Sequence, residues 1–537
     1  MNISMQTIIK KMSQTTDQIK VTIHDGLTSV SIKAKLGELL LDVLRRSGKP
    51  ITSPCGGKGT CKKCCVDIKG VGAVLACLYR LERNIEVHLP GYQYTIMEQS
   101  KHYGQLFNEN SGIETFITNE SLIVKYKDDV IIEEKSRADD LDKFGIAIDV
   151  GTTTVVLFLQ DLTSFEILDV ASFVNPQSAY GGDVISRITY CMEHESGLST
   201  LRRILIEKIN MVIEELCQRN SMSPQRIYKT TLVGNSIMLH ILAGVDPRSI
   251  AFAPYTPVFV EEKQLSAGDL NLKAHPNSIV KLLPSIAGYV GADIVAGLAT
   301  TNVLQHSGYT LYIDIGTNGE IVLGNENKLY CCATAAGPAL EGANITHGIG
   351  GVTGAICAYE DDEYSTIGGT APIGICGSGL IDIIAALLDK KYIDVSGYLA
   401  EDFMVVPQKE SAGNRNIVIT PNDVRQVQLA KSAIYAGILT LMKIADISFE
   451  QIDRLYIAGG FGNYIRVESA VRIGLIPRAL EGRVMPIGNS AGTGAVFALK
   501  SLQFETQIQT VLDKTEYIEL STRQDFNEKY VASMMFA

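Results

Sequence analysis

The stretch Gly145–Leu162, GIAIDVGTTTVVLFLQDL, decides the fold of the larger part of this 537-residue chain. An apolar run reaches Asp149, a Gly-Thr turn follows, and a second apolar run begins, which predicts a strand, a tight turn and a strand. The pattern returns at Tyr309–Gly324, YTLYIDIGTNGEIVLG, with Asp314 in the place of Asp149. The repeat predicts two related half-domains, at about residues 144–308 and 309–537, that face a cleft.

Each Asp-x-Gly-Thr turn is a candidate phosphate site. Backbone N–H groups and hydroxyls in such a turn can hold phosphate oxygens. A carboxylate beside them can take Mg²⁺ through its water ligands. We therefore predict catalytic roles for Asp149 and Asp314. The predicted phosphate-binding residues are Gly151, Thr152, Thr153, Gly316, Thr317, Asn318 and Gly319.

Three other glycine-rich turns are candidates for the same cleft. In LYIAGGFGN (455–463), Gly459 and Gly460 follow an apolar strand and would let the backbone approach a flat ring or a ribose. Gly234-Asn235 and Gly377-Ser378 each open a helix, where anions bind readily. The alternative is that these glycines serve packing only, and it is strongest for the last two turns.

Composition and missing motifs exclude several classes of protein. The formal net charge is −11 and no basic run stands out, so we expect no nucleic-acid binding. No apolar run approaches about 18 residues, and the first residues lack the apolar core of a signal peptide, so we expect no membrane span and a cytoplasmic location. Neither a Walker A motif nor a strand-linked G-x-G-x-x-G is present, which disfavours P-loop and Rossmann enzymes.

Five cysteines crowd one short stretch, PCGGKGTCKKCCVDIKGVGAVLAC. The spacing Cys55-x5-Cys61-x2-Cys64, with Cys77 as a fourth thiol, lies one residue from the plant-type pattern of a 2Fe–2S cluster. Glycines between the first thiols allow the tight curl that brings them together. The alternatives are a zinc site or inert buried thiols, although zinc ribbons prefer two C-x2-C pairs.

The predicted cluster ligands are therefore Cys55, Cys61, Cys64 and Cys77. Because neighbouring side chains of an extended segment alternate, we expect Cys65 to point into the domain core. The other six cysteines are scattered, and we expect them to be buried as small apolar residues.

The surroundings of the cysteine loop predict a small β-grasp domain over residues 1–91. A hairpin pattern at Gln18–Ile32 precedes a helical pattern at Leu36–Leu44, and Ile85–Leu89 reads as a strand after the loop. Residues 92–143 turn polar and charged, with a hairpin at Ser121–Glu133, and we interpret them as a linker or small spacer domain. From residue 144 strands alternate with long helices such as Leu201–Gln218, which predicts α/β layers.

These motifs together resemble a known family. The two Asp turns and Gly459–Gly462 look like the phosphate and adenosine motifs of the actin, sugar-kinase and heat-shock ATPase superfamily. With a 2Fe–2S domain in front, the whole chain resembles the reductive activators of corrinoid proteins. Further segments carry the resemblance: 175–188, 284–297, 335–345, 420–436 and 473–477.

The resemblance implies a multidomain fold, α+β and α/β, with a β-grasp 2Fe–2S ferredoxin-like domain before a duplicated actin-like (ribonuclease H-like) ATPase. It implies ATP and Mg²⁺ in the cleft, and one-electron reduction of the inactive Co(II) form of a corrinoid protein in a methyltransferase system. An upstream ferredoxin or flavoprotein would supply the electron. The short region 92–143 departs from relatives with a fuller middle domain, and leaves a homodimer as an open expectation.

Three other functions fit parts of the sequence. The chain could be an ATP-coupled electron donor to a different low-potential enzyme, such as an activator of a radical dehydratase. It could instead be a redox sensor whose cluster state governs ATP-dependent docking, or a small-molecule kinase with an accessory cluster domain.

Overall fold

The computed structural model describes residues 18–25, 29–49, 51, 53–61, 63–89, 107–118, 121–135, 141–460 and 464–536. Two compact units divide the chain. The first comprises Met1–Tyr92 together with Pro176–Gly182, and the second comprises Gln93–Asn175 and Asp183–Ala537. The predicted boundary at residue 91 lies outside the described residues.

The first unit is a five-stranded mixed sheet with one helix. Its elements in chain order are β1 Gln18–His24, β2 Ser29–Lys35, α1 Leu40–Arg46, β3 Cys65–Ile68, β4 Gly72–Leu75 and β5 Ile85–His88. The strand order is β2-β1-β5-β3-β4, in which β1 and β5 run parallel and the other pairs antiparallel. Helix α1 buries its leucines and Val43 against alternate strand residues such as Val21 and Val87. The hairpin strands occur where the sequence predicts them, whereas the helix predicted at Leu36–Leu44 begins four residues later, at Leu40, and ends at Arg46.

The second unit contains two six-stranded sheets, one in each half of the repeat. The first has the order β11-β10-β9-β12-β14-β13. The strands of this sheet and the helices of the same half are, in chain order, β9 Phe144–Val150, β10 Thr154–Asp161, β11 Ile167–Val174, α2 Val184–Glu193, α3 Gly197–Arg219, β12 Ile227–Gly234, α4 Ser236–Ala243, β13 Lys263–Ser266, α5 Ala267–Leu270, β14 Ile279–Leu282 and α6 Ala292–Ala299.

The second sheet has the order β24-β23-β15-β16-β17-β25. Its strands are β15 Tyr309–Ile315, β16 Gly319–Gly324, β17 Leu329–Thr334, β23 Ile452–Ala458, β24 Val484–Gly488 and β25 Thr515–Tyr517. In both sheets the strand that carries the aspartate pairs antiparallel with the next strand and parallel with a later one, β12 or β23. The two sheets therefore repeat one arrangement, as the duplicated sequence predicts.

Helices and small sheets complete the second half. They are β18 Ala355–Glu360, β19 Glu363–Thr366, β20 Gly374–Ile375, α7 Gly377–Asp389, β21 Phe403–Val406, β22 Ile417–Ile419, α8 Pro421–Ala445, α9 Val467–Arg472, α10 Ser490–Lys500, α11 Leu502–Lys514 and α12 Gln524–Ala532. Helix α10 packs on β9, β12 and α6 of the first half, so its N-terminus reaches the first Asp turn.

Helix α8 packs on β16 and β17 in the core. Among the described residues it is the one helix long and apolar enough to cross a membrane by length and composition, and 72% of its apolar window is buried. Core packing explains its apolar sequence.

Within the region predicted as a linker or small spacer domain, the described residues 113–118, 121–126 and 129–135 form a small sheet of the second unit. Strands β6 Ile113–Thr118, β7 Ser121–Tyr126 and β8 Asp129–Lys135 pair antiparallel in sequence order. The predicted hairpin corresponds to β7 and β8, and β6 adds a strand that the sequence reading did not include. Lys229 of β12 donates to the carbonyl of Ser111, which ties this sheet to the first half.

Candidate functional site

The cysteine loop brings four thiols together in two pairs. The Sγ atoms of Cys55 and Cys61 lie 3.2 Å apart, and the thiols of Cys64 and Cys77 interact with each other. Three glycines with positive φ make the curl between the first pair: Gly56 (67°), Gly57 (99°) and Gly59 (77°). Other residues would be strained in that conformation, so the glycines are what lets the thiols converge.

The thiols do not share one electrostatic environment. Burial opposes ionisation of Cys55, but hydrogen bonds from the backbone of Cys61 and Gly57 and from the side chains of Cys61 and Thr60 lower its pKa to about 6. Burial and the neighbouring Cys77 raise the pKa of Cys64 to about 11. Cys55, the thiol with the lowered pKa, lies at the partly exposed end of the loop, while Cys64 and Cys77 are in the core.

The prediction that Cys65 points into the core is wrong. Cys65 is exposed at the start of β3, and Cys64 and Val66 on either side of it are buried. Alternation does separate the two neighbouring thiols, but the inward position belongs to Cys64. Of the six scattered cysteines, Cys191 and Cys357 are half-buried and the other four are buried.

The first Asp turn lies between β9 and β10. Asp149 is the penultimate residue of β9 and pairs with Val233 of β12. A Cβ on Gly151 would lie 2.4 Å from the carbonyl oxygen of Thr154, so only glycine fits there. The side-chain amide of Asn175 donates to the carbonyl of Gly151 (2.9 Å), and its backbone N–H donates to Thr153 (2.8 Å).

The second Asp turn lies between β15 and β16, and a shared carboxylate joins it to the first. The hydroxyl of Thr317 donates to one oxygen of Glu341 (2.5 Å), and the hydroxyl of Thr153 donates to the other (3.3 Å). The N–H of Gly316 closes the turn on the carbonyl of Asn318 (3.0 Å). The two predicted phosphate turns therefore meet across one cleft.

Buried carboxylates accumulate in this cleft and disfavour each other's ionisation. Burial and the charge of Asp293 raise the pKa of Asp149 to about 7. Burial and the charges of Asp293, Asp149 and Glu341 raise the pKa of Asp314 to about 8. Burial raises the pKa of Asp293 to about 6, and that of Glu320 rises well above its usual range. Such a group is suited to a divalent cation, which would stabilise the ionised forms.

The strand end at Gly459 lies against the second turn. Gly459 has φ +103°, and a Cβ there would lie 2.6 Å from the carbonyl of Ile315 and 3.0 Å from a carboxylate oxygen of Asp314. A Cβ on Gly460 would meet open space. The last part of the predicted motif, residues 461–463, lies outside the described residues.

The remaining two glycine turns differ. Asn235 caps α4 and donates to the hydroxyl of Thr152 (2.9 Å), so Gly234-Asn235 does belong to the cleft. Ser378 is buried and its hydroxyl donates to the carbonyl of Cys357 (2.7 Å). The binding role predicted for Gly377-Ser378 stays a prediction.

Known proteins resemble this chain over nearly its whole length. Residues 308–537 match the family model described as "C-terminal domain of RACo the ASKHA domain", and residues 144–306 match "RACo middle region". The corrinoid activation enzyme RamQ of Eubacterium limosum is 34% identical over 93% of this chain and 96% of its own. The chain belongs to the family of reductive activators of corrinoid proteins.

Two further relatives agree with that assignment. The [Co(II) methylated amine-specific corrinoid protein] reductase of Methanosarcina barkeri is 26% identical over 73% of this chain and 77% of its own. A solved structure titled "Reductive activator for corrinoid,iron-sulfur protein" aligns at a TM-score of 0.72, with 30% identity over 96% of this chain and 98% of that one. The actin-like ATPase fold of the second unit follows from this family.

Several cleft residues of this activator were not singled out from the sequence. Asp293 lies in the first turn of α6, and Asn489 caps α10 and bonds the carboxylate of Asp149. Arg187 of α2 donates to the carbonyl of Thr152 (2.5 Å). One signal was available for Asn489: the pattern apolar-Gly-Asn-Ser at 487–490 repeats that at 233–236. Glu341 lies within the segment 335–345 that carries the family resemblance, but no motif there marks it individually.

Proposed function

We propose that this activator uses ATP to deliver one electron from a 2Fe–2S cluster in its first unit to the Co(II) form of a corrinoid protein, which restores Co(I) for methyl transfer. The observation that carries the proposal is the presence, in one chain of this family, of a four-thiol loop and a cleft formed by two Asp turns. The names of the relatives supply the class of partner.

Cys55, Cys61, Cys64 and Cys77 would hold a 2Fe–2S cluster, because four cysteine thiolates are the usual ligands of such a cluster. The pairs Cys55–Cys61 and Cys64–Cys77 fit this need. The bound cluster would supply one-electron transfer. The chain keeps one pair in the core, where it is shielded from water, and the other at the partly exposed end of the loop.

The cleft residues fit Mg²⁺ and ATP. Asp149 and Asp314 would hold the cation through its waters. The cation needs both carboxylates ionised, whereas burial raises the pKa of each and so favours the protonated form. The hydroxyls of Thr152, Thr153 and Thr317 would bind phosphate oxygens. Gly459 lets the backbone approach the nucleotide closely.

ATP would make an uphill electron transfer workable. A plant-type cluster has a potential near −400 mV, and Co(I) corrinoids are strong reductants. A coupling free energy of about 1–3 kcal/mol between nucleotide and partner would shift the effective one-electron potential by about 40–130 mV. Rapid methylation of Co(I) would draw the reaction forward.

The test is direct. The purified activator is mixed with a Co(II) corrinoid protein, ATP, Mg²⁺ and a ferredoxin or flavoprotein reductant, and the absorption spectrum of Co(I) is followed. We expect Co(I) only with ATP. Equal Co(I) without ATP would contradict the nucleotide's role, and a phosphorylated sugar without Co(I) would favour a kinase.

A matched pair of variants tests the cluster. Cys61→Ser is expected to lose the visible absorption and the reduced-state electron paramagnetic resonance signal of the cluster, and with them Co(I) formation. Cys65→Ser, which changes the exposed neighbour, should keep all three. Equal cluster content in both variants would overturn the ligand assignment.

A cytoplasmic location, as expected from the sequence, is part of the proposal.

A further inference from the structure

A short segment that follows the first Asp turn in sequence belongs to the unit of the cysteine loop. Within that unit, two backbone hydrogen bonds fasten the segment Pro176–Gly182. The N–H of Ser53 donates to the carbonyl of Ser178 (3.2 Å), and the N–H of Gly182 donates to the carbonyl of Pro54 (3.2 Å). Pro54 directly precedes Cys55, so the segment is attached next to the first thiol.

One arginine strengthens this attachment. The guanidinium of Arg45 donates to the carbonyl of Ala179 through both Nε (3.0 Å) and Nη2 (2.5 Å), and to the carbonyl of Gly56 (3.3 Å). It also lies 4.8 Å from the centre of the Tyr180 ring. Charged donors and a ring contact make such a contact stronger than neutral hydrogen bonds alone. Arg45 thus binds the segment and the cysteine loop together.

The covalent neighbours of the segment are held by the first Asp turn in the second unit. Asn175, the residue before it, donates to the carbonyls of Gly151 and Thr153. Asp183, the residue after it, caps α2, and Arg187 in that helix donates to the carbonyl of Thr152. Asn175 before the segment and Arg187 after it therefore contact Gly151, Thr152 and Thr153, which are among the residues to which we assign phosphate binding.

We propose that Pro176–Gly182 is a strap that covers the cysteine loop beside Cys55, and that nucleotide in the cleft releases this strap. A phosphate in the first Asp turn attracts the guanidinium of Arg187, whose planar fork matches phosphate oxygens. Arg187 then leaves the carbonyl of Thr152, the start of α2 moves, and the bond from Gly182 to Pro54 opens. The surface beside Cys55 is uncovered for the corrinoid partner. The strap rests on the proposed function of the cleft.

Hydrogen–deuterium exchange of the full chain, read by mass spectrometry, measures the strap without any turnover. The amides of Ser53 and Gly182 report it, since each donates across the attachment. With Mg²⁺ and a non-hydrolysable ATP analogue, we expect their exchange to speed up about ten-fold, a size typical of coupling between two sites.

Two neighbouring arginines provide the matched variants. Arg45→Ala should exchange fast at both amides without nucleotide, and nucleotide should add little. Arg46→Ala removes an equal positive charge at the neighbouring position. The Arg46 guanidinium contacts the carbonyl of Lys33 and the carboxylate of Glu38, so this variant should behave as wild type. Tyr180→Leu, a milder change that removes the ring beneath Arg45, should shift exchange in the same direction by less, and serves if Arg45→Ala does not fold.

Calorimetry of the same nucleotide separates the two proposals. Nucleotide that binds but leaves exchange at Ser53 and Gly182 unchanged would overturn the strap alone. Equal exchange in Arg45→Ala and Arg46→Ala, with both chains folded, would overturn it too. Failure of the wild-type chain to bind nucleotide would overturn the proposed function of the cleft, and the strap with it.

Discussion

At the scale of single residues, Glu341 joins the two halves of the cleft. Both of its oxygens accept hydrogen bonds from threonines to which we assign phosphate binding, Thr153 and Thr317. A γ-phosphate would compete for the same hydroxyls and would be repelled by the carboxylate charge. Burial raises the pKa of Glu341, and in its ionised form this residue places an internal anion where the nucleotide's last phosphate is expected.

Glu341→Gln removes that charge and keeps an acceptor oxygen. We expect the variant to bind ATP about ten-fold more tightly, with little change for ADP, because only ATP brings the competing phosphate. Isothermal titration calorimetry with both nucleotides checks this. Glu363→Gln, an exposed residue of β19, is the control. Weaker binding of both nucleotides would contradict this competition and would show that the Glu341 carboxylate favours nucleotide binding.

The buried aspartates predict a pH dependence of stability. In the folded chain Asp149 and Asp314 have pKa values of about 7 and about 8, against an ordinary value of 3.8. Between about pH 4 and pH 8 the folded state therefore holds protons that the unfolded state has lost, so the free energy of unfolding falls as pH rises.

Because Mg²⁺ binds ionised carboxylates, it should stabilise the chain more at pH 8 than at pH 5.5. Urea unfolding at several pH values, with and without Mg²⁺, measures both effects. Asp314→Asn should show a smaller decline with pH and a smaller gain from Mg²⁺. A free energy of unfolding that rises between pH 5 and pH 8 without metal would contradict the raised pKa values of Asp149 and Asp314.

At the scale of elements, the end of β23 is shaped by one glycine. Gly459→Ala adds a Cβ 2.6 Å from the carbonyl of Ile315 at a φ of +103°, so we expect a loss of about 1–3 kcal/mol in the free energy of unfolding. Nucleotide affinity should fall with it, since the second Asp turn is displaced. Thermal and chemical denaturation provide the measurement.

Gly460→Ala is the adjacent control, because its added Cβ meets open space. Its stability should stay within about 0.5 kcal/mol of wild type. Equal effects of the two substitutions would show that the close approach of Gly459 to Ile315 does not matter.

Local motifs account for the elements that the sequence predicted. Asp149 and Asp314 were found because each sits in a strand-turn-strand pattern of adjacent residues, and the pattern occurs twice. The four thiols of the cysteine loop could be predicted as one ligand set because their spacing within one loop limits their chemistry. Asp293, Arg187 and Glu341 lie in segments that carry the family resemblance, but no spacing rule marks them individually, and only tertiary packing brings them to the cleft.

Two further differences have the same physical origin. The side of β3 on which Cys65 lies depends on how that strand faces α1 and the rest of the sheet, which alternation alone does not determine. The attachment of Pro176–Gly182 to the first unit is a tertiary contact over more than a hundred residues of chain. Neither leaves a local trace in the sequence.

At the scale of the whole molecule, one buried ionic group ties the small sheet of β6–β8 to the first half of the ATPase. Glu505 of α11 accepts from Lys281 (2.9 Å) and Lys229 (3.4 Å), whose side chains are 3% and 0% exposed. Both ammonium groups also lie over the ring of Tyr126 in β7. Three separate parts of the second unit, β7, the β12–β14 pair and α11, thus meet at one carboxylate.

Glu505→Ala would leave the buried Lys229 without its carboxylate and Lys281 with Glu262 alone, and breaking a buried ion pair typically costs about 3–5 kcal/mol. We expect a loss of that size in the free energy of unfolding of the second unit, measured by urea denaturation, together with faster hydrogen exchange in β6–β8 as the small sheet separates. Glu516→Ala is the control, because its pair with Lys328 is half exposed on both sides and should contribute less than about 1 kcal/mol. If the two variants lost the same stability, the small sheet would be held by its apolar contacts, and this buried group would not be its anchor.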